Sequence, residues 1–198
     1  MSAHTVSLPA VAPSEPLPQL LVRRHSQRDY SAAPLTRTEL AALLWAAQGM
    51  TQRDGQRNAP SAGALYPLEL YCLVGEISGL DPGVYRYRPA HHALVLRQAG
   101  DRRVALADAA LDQDWIAVAP LVLAFAAVFE RTTRKYGERG VRYVHMEVGH
   151  AAQNACLMAV SLGLGGVTVG AFDDAAVQAA LQLPEGEAPL YLLPIGRP

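Results

Sequence analysis

Residues 141–172 read VRYVHMEVGHAAQNACLMAVSLGLGGVTVGAF, and they predict the centre of the fold. Apolar residues such as Val144, Val148 and Ala152 recur with the three- and four-residue steps of a helix. Its other sides are also rich in apolar residues, and a helix that is apolar on most sides is buried on most sides. In a chain of 198 residues, this favours packing against the chain's own sheet on one side and against a second subunit on the other.

A glycine stop and a short buried strand are expected after this helix. Gly163, Gly165 and Gly166 follow it, and glycine adopts the left-handed conformation of a helix end at little cost. Residues 167–172 alternate as a strand that contains Gly170. A glycine inside a strand often marks the close approach of a backbone or a ligand, so the pattern leaves open whether a cofactor lies beside Gly170.

Length and composition describe one domain with a full core. Hydrophobic residues make up 51% of the chain, and the formal net charge is -1, which leaves no electrostatic footprint for nucleic acid. The longest apolar run, residues 115–129, contains Pro120 and is shorter than the roughly 20 residues that cross a bilayer. Cys72 and Cys156 lie in apolar runs, which predicts buried reduced thiols. We therefore expect a cytoplasmic protein that binds neither nucleic acid nor membrane.

The rest of the chain predicts an α+β domain over residues 20–198, preceded by a proline-rich lead at residues 1–19. Thr36 and Glu39 form the pattern of a capping box before an apolar helix. Further helices are expected near residues 103–111 and after Asp173, and strands at 70–74, 84–87, 94–97, 120–129 and 189–195. This alternation indicates a mixed sheet covered by helices.

Two short segments each allow two interpretations. Residues 23–28, RRHSQR, are typical either of a solvated turn or of an anion site, because arginine forks and a hydroxyl suit a phosphate. Residues 59–67, APSAGALYP, form a small-residue loop that would let the backbone approach a flat ligand, or an ordinary connection.

The sequence disfavours a metal site and several nucleotide motifs. His145 and His150 are five residues apart, so their rings diverge by roughly 140° on a helix, whereas zinc helices of the protease type need a spacing of four. Glu147 and His150 share a helix face and could bond each other. No lysine-bearing phosphate loop, dinucleotide fingerprint or nucleophile elbow occurs. We expect no metal.

Several separated stretches together resemble the nitroreductase family of enzymes that use flavin mononucleotide (FMN). The matching stretches are residues 23–28 with its N-terminal arginine–serine signature, 59–70 with its proline–serine loop, 149–166 with its dimer helix and flavin-facing strand, and 194–196 with its last strand. The resemblance covers about residues 20–198. It implies a nitroreductase-like fold with a mixed, mostly antiparallel sheet flanked by helices. It also implies a homodimer whose interface contains the long central helix and FMN.

The resemblance further implies a role for each matching residue. Arg24, His25 and Ser26 would hold the flavin phosphate and ribityl chain, and Arg28 would reach the N1/O2 edge of the ring, where a fixed cation favours the reduced state. The residues that would line the ring from the other subunit are Pro60, Ser61, Ala62 and Gly63, and those that would pass behind it are Val169, Gly170 and Ala171. Arg197, next to the end of the chain, is a further candidate for the phosphate.

The proline–serine loop and the segment KYGER at residues 135–139 are similar to one branch of the family, the dehydrogenases that oxidise azoline rings in modified peptides. In that branch a lysine–tyrosine pair is implicated in the chemistry, and Lys135 and Tyr136 occupy its place. The alternative is an exposed lysine beside a half-buried tyrosine with no role in catalysis.

These observations favour an FMN-dependent oxidoreductase that transfers hydride from NAD(P)H through flavin N5 to a small electron-poor acceptor, such as a nitroaromatic or a quinone. Three alternatives remain open: an azoline-type dehydrogenase acting on a modified peptide or a small heterocycle, a flavin-binding partner subunit without turnover, and an α+β dimer without a cofactor. The sequence names neither the substrate nor a choice between NADH and NADPH.

Overall fold

The computed structural model describes residues 5–7, 9, 16–51 and 55–198, which fold as one sheet with helices on both faces. The strands are β1 (Thr5–Ser7), β2 (Leu68–Val74), β3 (Gly83–Arg88), β4 (Ala93–Ala99), β5 (Leu121–Ala127), β6 (Gly165–Gly166) and β7 (Ala188–Gly196). The α-helices are α1 (Leu17–Arg23), α2 (Arg37–Gln48), α3 (Arg103–Ala109), α4 (Trp115–Val118), α5 (Glu130–Tyr136), α6 (Arg139–Ser161) and α7 (Asp174–Leu181).

The sheet has the strand order β1-β4-β3-β2-β5-β7-β6, and every neighbouring pair of these strands is antiparallel. Short parallel bridges join Ser26 to Gly166 and Leu35 to Ile77. The expected α+β fold with a mixed, mostly antiparallel sheet is therefore confirmed.

The central strand β5 shows how the two faces of the sheet are covered. All seven of its residues are buried, and successive side chains point to opposite faces. Leu123 and Phe125 join the cluster beneath α2 and α6, whereas Val122 and Ala124 join the cluster beneath α3, α4 and α7. A strand that is covered on both faces reads as a continuous apolar run, which is why this element was predictable from the sequence.

The long helix α6 packs against α2 and the sheet through its buried face, which includes Val144, Val148 and Ala152. Its other face, with Met146, His150 and neighbouring residues, is exposed in the single chain. The predicted packing on the chain's own sheet is thus confirmed, and packing of the exposed face on a second subunit stays a prediction.

Several local signals act as the sequence predicts. The Thr36 side chain accepts a hydrogen bond from the Glu39 N–H, and the Glu39 carboxylate accepts one from the Thr36 N–H, which completes the capping box of α2. The Asp173 carboxylate caps α7 by accepting a hydrogen bond from the Ala176 N–H at 2.8 Å. Cys72 and Cys156 are both buried and unbonded.

The strand expected at residues 167–172 is wrong, because regular pairing ends at Gly166. The partner that would follow is Pro194, which has no N–H to return a hydrogen bond, and the Val167 N–H lies 3.4 Å from its carbonyl. Pairing resumes only at Val169, which exchanges two hydrogen bonds with Leu192 in the same register. The predicted alternation of burial nevertheless holds, with Val169 buried and Gly170 exposed.

The predicted lead at residues 1–19 lies partly outside the described residues. Within the described part, residues 5–7 pair with β4 as an edge strand, and α1 begins at Leu17, inside the predicted lead. The polar loop expected at residues 51–58 is described only at Thr51 and from Gly55 onward. Over the described ranges, the helices are too short or too polar to span a bilayer.

Candidate functional site

The arginine-rich segment before Tyr30 lies directly beside β6. Ser26 forms a parallel bridge with Gly166, and the Gln27 N–H donates to the Gly166 carbonyl at 3.1 Å. The Tyr30 hydroxyl donates to the Gln27 carbonyl at 2.7 Å, which closes the turn that follows. The structure therefore brings residues 24–28 next to β6, which the chain follows towards Val169.

Three polar side chains of this segment have no charged partner within the described part of the chain. Arg24 and Ser26 make no ion pair or side-chain hydrogen bond there, and the Arg28 guanidinium lies over the Trp115 ring at 5.4 Å. His25 is hydrogen-bonded locally, through one ring nitrogen to the Arg23 carbonyl and through the other to Gln27 Oε1. Two guanidinium groups and a hydroxyl in one turn are a donor set that suits a phosphate and an electron-rich ring edge.

Gly170 is exposed, and nothing among the residues that the structure describes requires glycine at this position. Its φ is not positive, and an added Cβ would meet only the Tyr191 ring at 3.5 Å, which is an ordinary contact. The next residue, Ala171, is fixed because its carbonyl accepts a hydrogen bond from Gln113 Nε2 at 2.9 Å. Open space above Gly170 fits the predicted close approach of a ligand.

Arg197, the further phosphate candidate, is held by an ion pair. Its Nη2 donates to Glu39 Oε1 at 2.6 Å, and the other oxygen of the same carboxylate caps α2 at Thr36. The Arg197 carbonyl accepts from the Ser31 N–H at 2.9 Å. Because Glu39 already neutralises this guanidinium, Arg24 and Arg28 are the better placed cations for an anionic ligand.

The proline–serine loop and the lysine–tyrosine pair form a second group in the same chain. Gly63 has φ +63°, and a Cβ at this position would lie 2.8 Å from the Tyr136 hydroxyl and 3.0 Å from Lys135 Nζ. The Ser61 hydroxyl accepts a hydrogen bond from the Tyr66 N–H at 2.9 Å, which fixes the turn. Lys135 and Tyr136 are therefore immediate neighbours of the predicted ring-lining loop.

Glu147 lies beneath this loop, in a role that the sequence did not suggest. Its side chain lines the same pocket as Ser61 and is 3% exposed, with Oε1 lacking a partner among the described residues. Burial raises the pKa of this carboxyl to about 7, although Ser61 and the Arg57 guanidinium both act to lower it. In its own segment, the sequence shows Glu147 only beside a disfavoured metal motif and as a possible partner of His150. Its place beneath the loop depends on Ser61, which is distant in sequence.

A pocket of about 280 Å³ lies between the proline–serine loop and α6. The loop lines it with Pro60, Ser61 and Ala62, and α6 lines it with Tyr143, Glu147 and His150. His145 points elsewhere and packs edge-on against Phe129, with ring centroids 5.5 Å apart. Among residues 5–7, 9, 16–51 and 55–198, no group of three histidine, cysteine or acidic side chains could hold a metal ion.

The two groups lie towards different ends of α6. Glu147 contacts the proline–serine loop, whereas the carbonyl of Val160 accepts a hydrogen bond from Arg23 beside the arginine segment. Thirteen residues separate them, which corresponds to roughly 20 Å along a helix. A single chain therefore forms two separate groups. The first contains residues 24–28 and 165–169, and the second contains residues 60–63, 135 and 136. The chain itself holds these two groups apart.

Comparison with known proteins identifies the fold and its relatives. The sequence pattern of the Nitroreductase family matches residues 21–197. The chain is 51% identical to the nitroreductase-like protein MJ1384 of Methanocaldococcus jannaschii over 181 residues, which are 91% of this chain and 90% of that protein. It is 29% identical to the microcin B17-processing protein McbC of Escherichia coli over 135 residues, which are 66% of this chain and half of McbC.

Solved structures give the same result. A nitroreductase-like protein of Ralstonia eutropha superposes with a TM-score of 0.85 at 32% identity, over 98% of this chain and 89% of that chain. The NADPH:FMN oxidoreductase of Vibrio harveyi, in complex with NAD⁺, superposes with a TM-score of 0.66 over 91% of this chain and 67% of that chain. At 22% identity, this similarity shows a common fold and nothing beyond it.

Proposed function

The chain belongs to the nitroreductase family, and from that premise we propose that it is an FMN-dependent oxidoreductase that acts as a homodimer. The proposed domain spans residues 20–198. The proposed reaction moves a hydride from NAD(P)H to a small electron-poor acceptor, such as a nitroaromatic or a quinone. One observation carries the proposal: Arg24, Ser26 and Arg28 have no charged partner among the described residues, and their segment lies beside β6, four residues before Gly170.

These residues fit the two polar parts of the cofactor. Arg24, with His25 and Ser26, would bind the phosphate and the ribityl chain, and Arg28 would bind the N1/O2 edge of the ring. When bound, FMN supplies reversible hydride acceptance at N5. A fixed guanidinium at the N1 edge would stabilise the negative charge of the reduced ring, and a backbone N–H between Val169 and Ala171 would orient N5.

The proline–serine loop would complete the site from the partner subunit. Within one chain, the loop and the arginine segment lie towards different ends of α6. Pairing two chains along the exposed face of α6 would bring the loop of one protomer over the arginine segment of the other. The pocket around Ser61 and Glu147 would then face the ring and admit the acceptor.

The absorption spectrum of the purified protein, before and after anaerobic addition of NADPH or NADH, tests the proposal. We expect yellow protein that a nicotinamide bleaches. Colourless protein that takes up no FMN would contradict the cofactor, and yellow protein that no donor reduces would indicate a flavin-binding partner subunit instead.

Substitution of Arg28 locates the cofactor. We expect Arg28→Ala to weaken FMN binding by about tenfold or more, because a charge-assisted hydrogen bond contributes about 1.5–3 kcal/mol. Arg97→Ala is the matched control, since Arg97 is exposed on β4, which lies near the edge of the sheet opposite to β6. An equal loss of affinity in both variants would count against a specific contact.

A second candidate function is oxidation of an azoline ring, in which the substrate reduces the flavin and oxygen reoxidises it. It is favoured by the position of Lys135 and Tyr136 against Gly63 and by the similarity to McbC. Lys135→Ala and Tyr136→Phe should then abolish turnover of an azoline test substrate while FMN stays bound. Full activity in both variants would exclude that role for the pair.

A further inference from the structure

A separate pocket of about 350 Å³ lies between the Tyr66 region and the β3–β4 hairpin. Four arginines line it: Arg57, Arg86, Arg88 and Arg131. None of them takes part in the flavin site proposed above. The chain as a whole has a formal net charge of -1, whereas this pocket concentrates positive charge. The balance between these arginines and the nearby carboxylates therefore indicates which ligand the pocket can bind.

Two carboxylates compensate only part of this charge. Glu69 lies between Arg86 and Arg131, at 2.8 Å from Nη2 of the first and 2.6 Å from Nη2 of the second. Glu187 is a further partner of Arg86 at 3.4 Å. Arg57 and Arg88 form no ion pair with any carboxylate in the described ranges. Among the residues that the structure describes, four positive groups thus face two negative ones, which leaves two positive charges over.

Arg57 is the anchor of this excess charge. Its Nη1 donates to Gln48 Oε1 at 2.7 Å and to the Leu68 carbonyl at 3.3 Å, and the guanidinium lies over the Tyr66 ring at 4.7 Å. Its Nε and Nη2 have no acceptor in the described part of the chain. Burial lowers the pKa of Arg57, but an arginine stays charged at neutral pH. Glu69 attracts it, but this carboxylate is already paired with Arg86 and Arg131. Glu147 attracts it less, and with a pKa of about 7 that carboxyl is only partly ionised at neutral pH.

The remaining walls are apolar and aromatic. Met50, Pro89 and Ala90 line the pocket together with the Tyr66 ring, and the volume lies within the range of pockets that hold small organic ligands. We propose that this pocket binds the phosphate monoester group of a small organic molecule. Such a group carries close to two negative charges at neutral pH and offers three acceptor oxygens, which match the excess charge and the unused donors. A carboxylate would neutralise only one of the two charges.

Isothermal titration calorimetry on the full chain with its bound FMN tests the proposal with three probes, at neutral pH and constant ionic strength. Free FMN is removed beforehand, because FMN is itself a phosphate monoester and would compete for the pocket. We expect phenyl phosphate to bind saturably, and both benzoate and inorganic phosphate to bind more weakly. Arg57→Gln should weaken phenyl phosphate binding by about tenfold or more, as expected for the loss of a charged hydrogen bond. Arg88→Gln changes an exposed side chain, so it tests the same charge without risk to folding.

Two controls locate the binding. Arg134→Gln lies on the same helix as Arg131, but Arg134 is exposed and pairs with Glu130, so phenyl phosphate affinity should not change. Arg24→Ala should also leave it unchanged, which separates this pocket from the flavin site. Absence of saturable binding, equal affinity for benzoate, or unchanged affinity in both Arg57→Gln and Arg88→Gln would overturn the proposal. Inorganic phosphate binding as tightly as phenyl phosphate would overturn its organic part.

Discussion

Glu147 makes the stability of the protein depend on pH. Burial raises its pKa from 4.5 to about 7, so the folded chain binds this proton more tightly than the unfolded chain. Between these two values only the folded state holds the proton, and stability therefore falls as pH rises from about 4.5 to about 7. The loss is on the order of 3 kcal/mol, from about 1.4 kcal/mol for each pKa unit.

Urea unfolding at several pH values checks this prediction. Glu147→Gln removes the titrating group and keeps a partner for Ser61, so the variant should lose this part of the pH dependence and exceed the wild type in stability above about pH 7. Glu185→Gln is the control, since Glu185 is exposed and its substitution should leave the pH profile unchanged. A Glu147→Gln profile parallel to that of the wild type would contradict the assignment.

Gly63 leaves space for the ends of the Lys135 and Tyr136 side chains. Alanine at this position would be strained at φ +63°, and its Cβ would lie 2.8 Å from the Tyr136 hydroxyl. We expect Gly63→Ala to cost about 1–2 kcal/mol from backbone strain and to displace Lys135 and Tyr136, which should lower turnover as well. Urea unfolding and steady-state kinetics measure the two effects.

Gly186→Ala separates strain from displacement. Gly186 has φ +84°, but nothing lies within 4 Å of the Cβ that alanine would add, so this variant carries the strain without the contact. It should lose stability and keep full turnover. If both alanine variants reduce turnover equally, the contact between Gly63 and Tyr136 has no functional importance.

At the level of elements, one carboxylate links the start of α2 to the last strand. Glu39 completes the capping box with Thr36 and also binds Arg197, next to the end of β7. Thr36→Ala should cost about 1 kcal/mol, the usual value of a helix cap, and Glu39→Ala about 2 kcal/mol because it also breaks a charged hydrogen bond. Equal losses in urea unfolding would mean that the contact with Arg197 does not stabilise the chain.

The elements that the sequence predicts well depend on local information. The capping box, the β3–β4 hairpin and the apolar run of β5 each carry their signal within a few residues. The early end of β6 depends instead on Pro194, a residue that only the folded sheet places opposite Val167. Local alternation could not reveal a missing N–H on a distant strand.

The same reasoning applies to the candidate site. The arginine segment and the proline–serine loop could be identified because each is a contiguous motif. Trp115 lies under Arg28, and Glu147 lies under Ser61, although each pair is distant in sequence. Arg57 lines its pocket together with residues of β3, which the folded sheet brings beside it. None of these three has a recognisable spacing in the chain, so only their contacts identify them.

At the level of the whole molecule, the separation of the two groups along α6 predicts that neither protomer forms a complete site alone. The arginine segment of one chain would have to meet the proline–serine loop, with Lys135 and Tyr136, of another. Size-exclusion chromatography with light scattering should therefore report a dimer. A monomer with full activity would refute the shared site.

Complementation between two impaired variants tests the shared site directly, at an FMN concentration low enough to leave Arg28→Ala without bound cofactor. Arg28→Ala impairs the first group, and Lys135→Ala would impair the second if that lysine acts in turnover. A mixed dimer would carry both defects in one site and neither in the other, so an equal mixture, after exchange of subunits, should regain about a quarter of the wild-type activity. Mixing each variant with itself is the control and should restore nothing. If instead each site were built from a single chain, every site in the mixture would keep one defect, and the mixed sample would stay as inactive as its components.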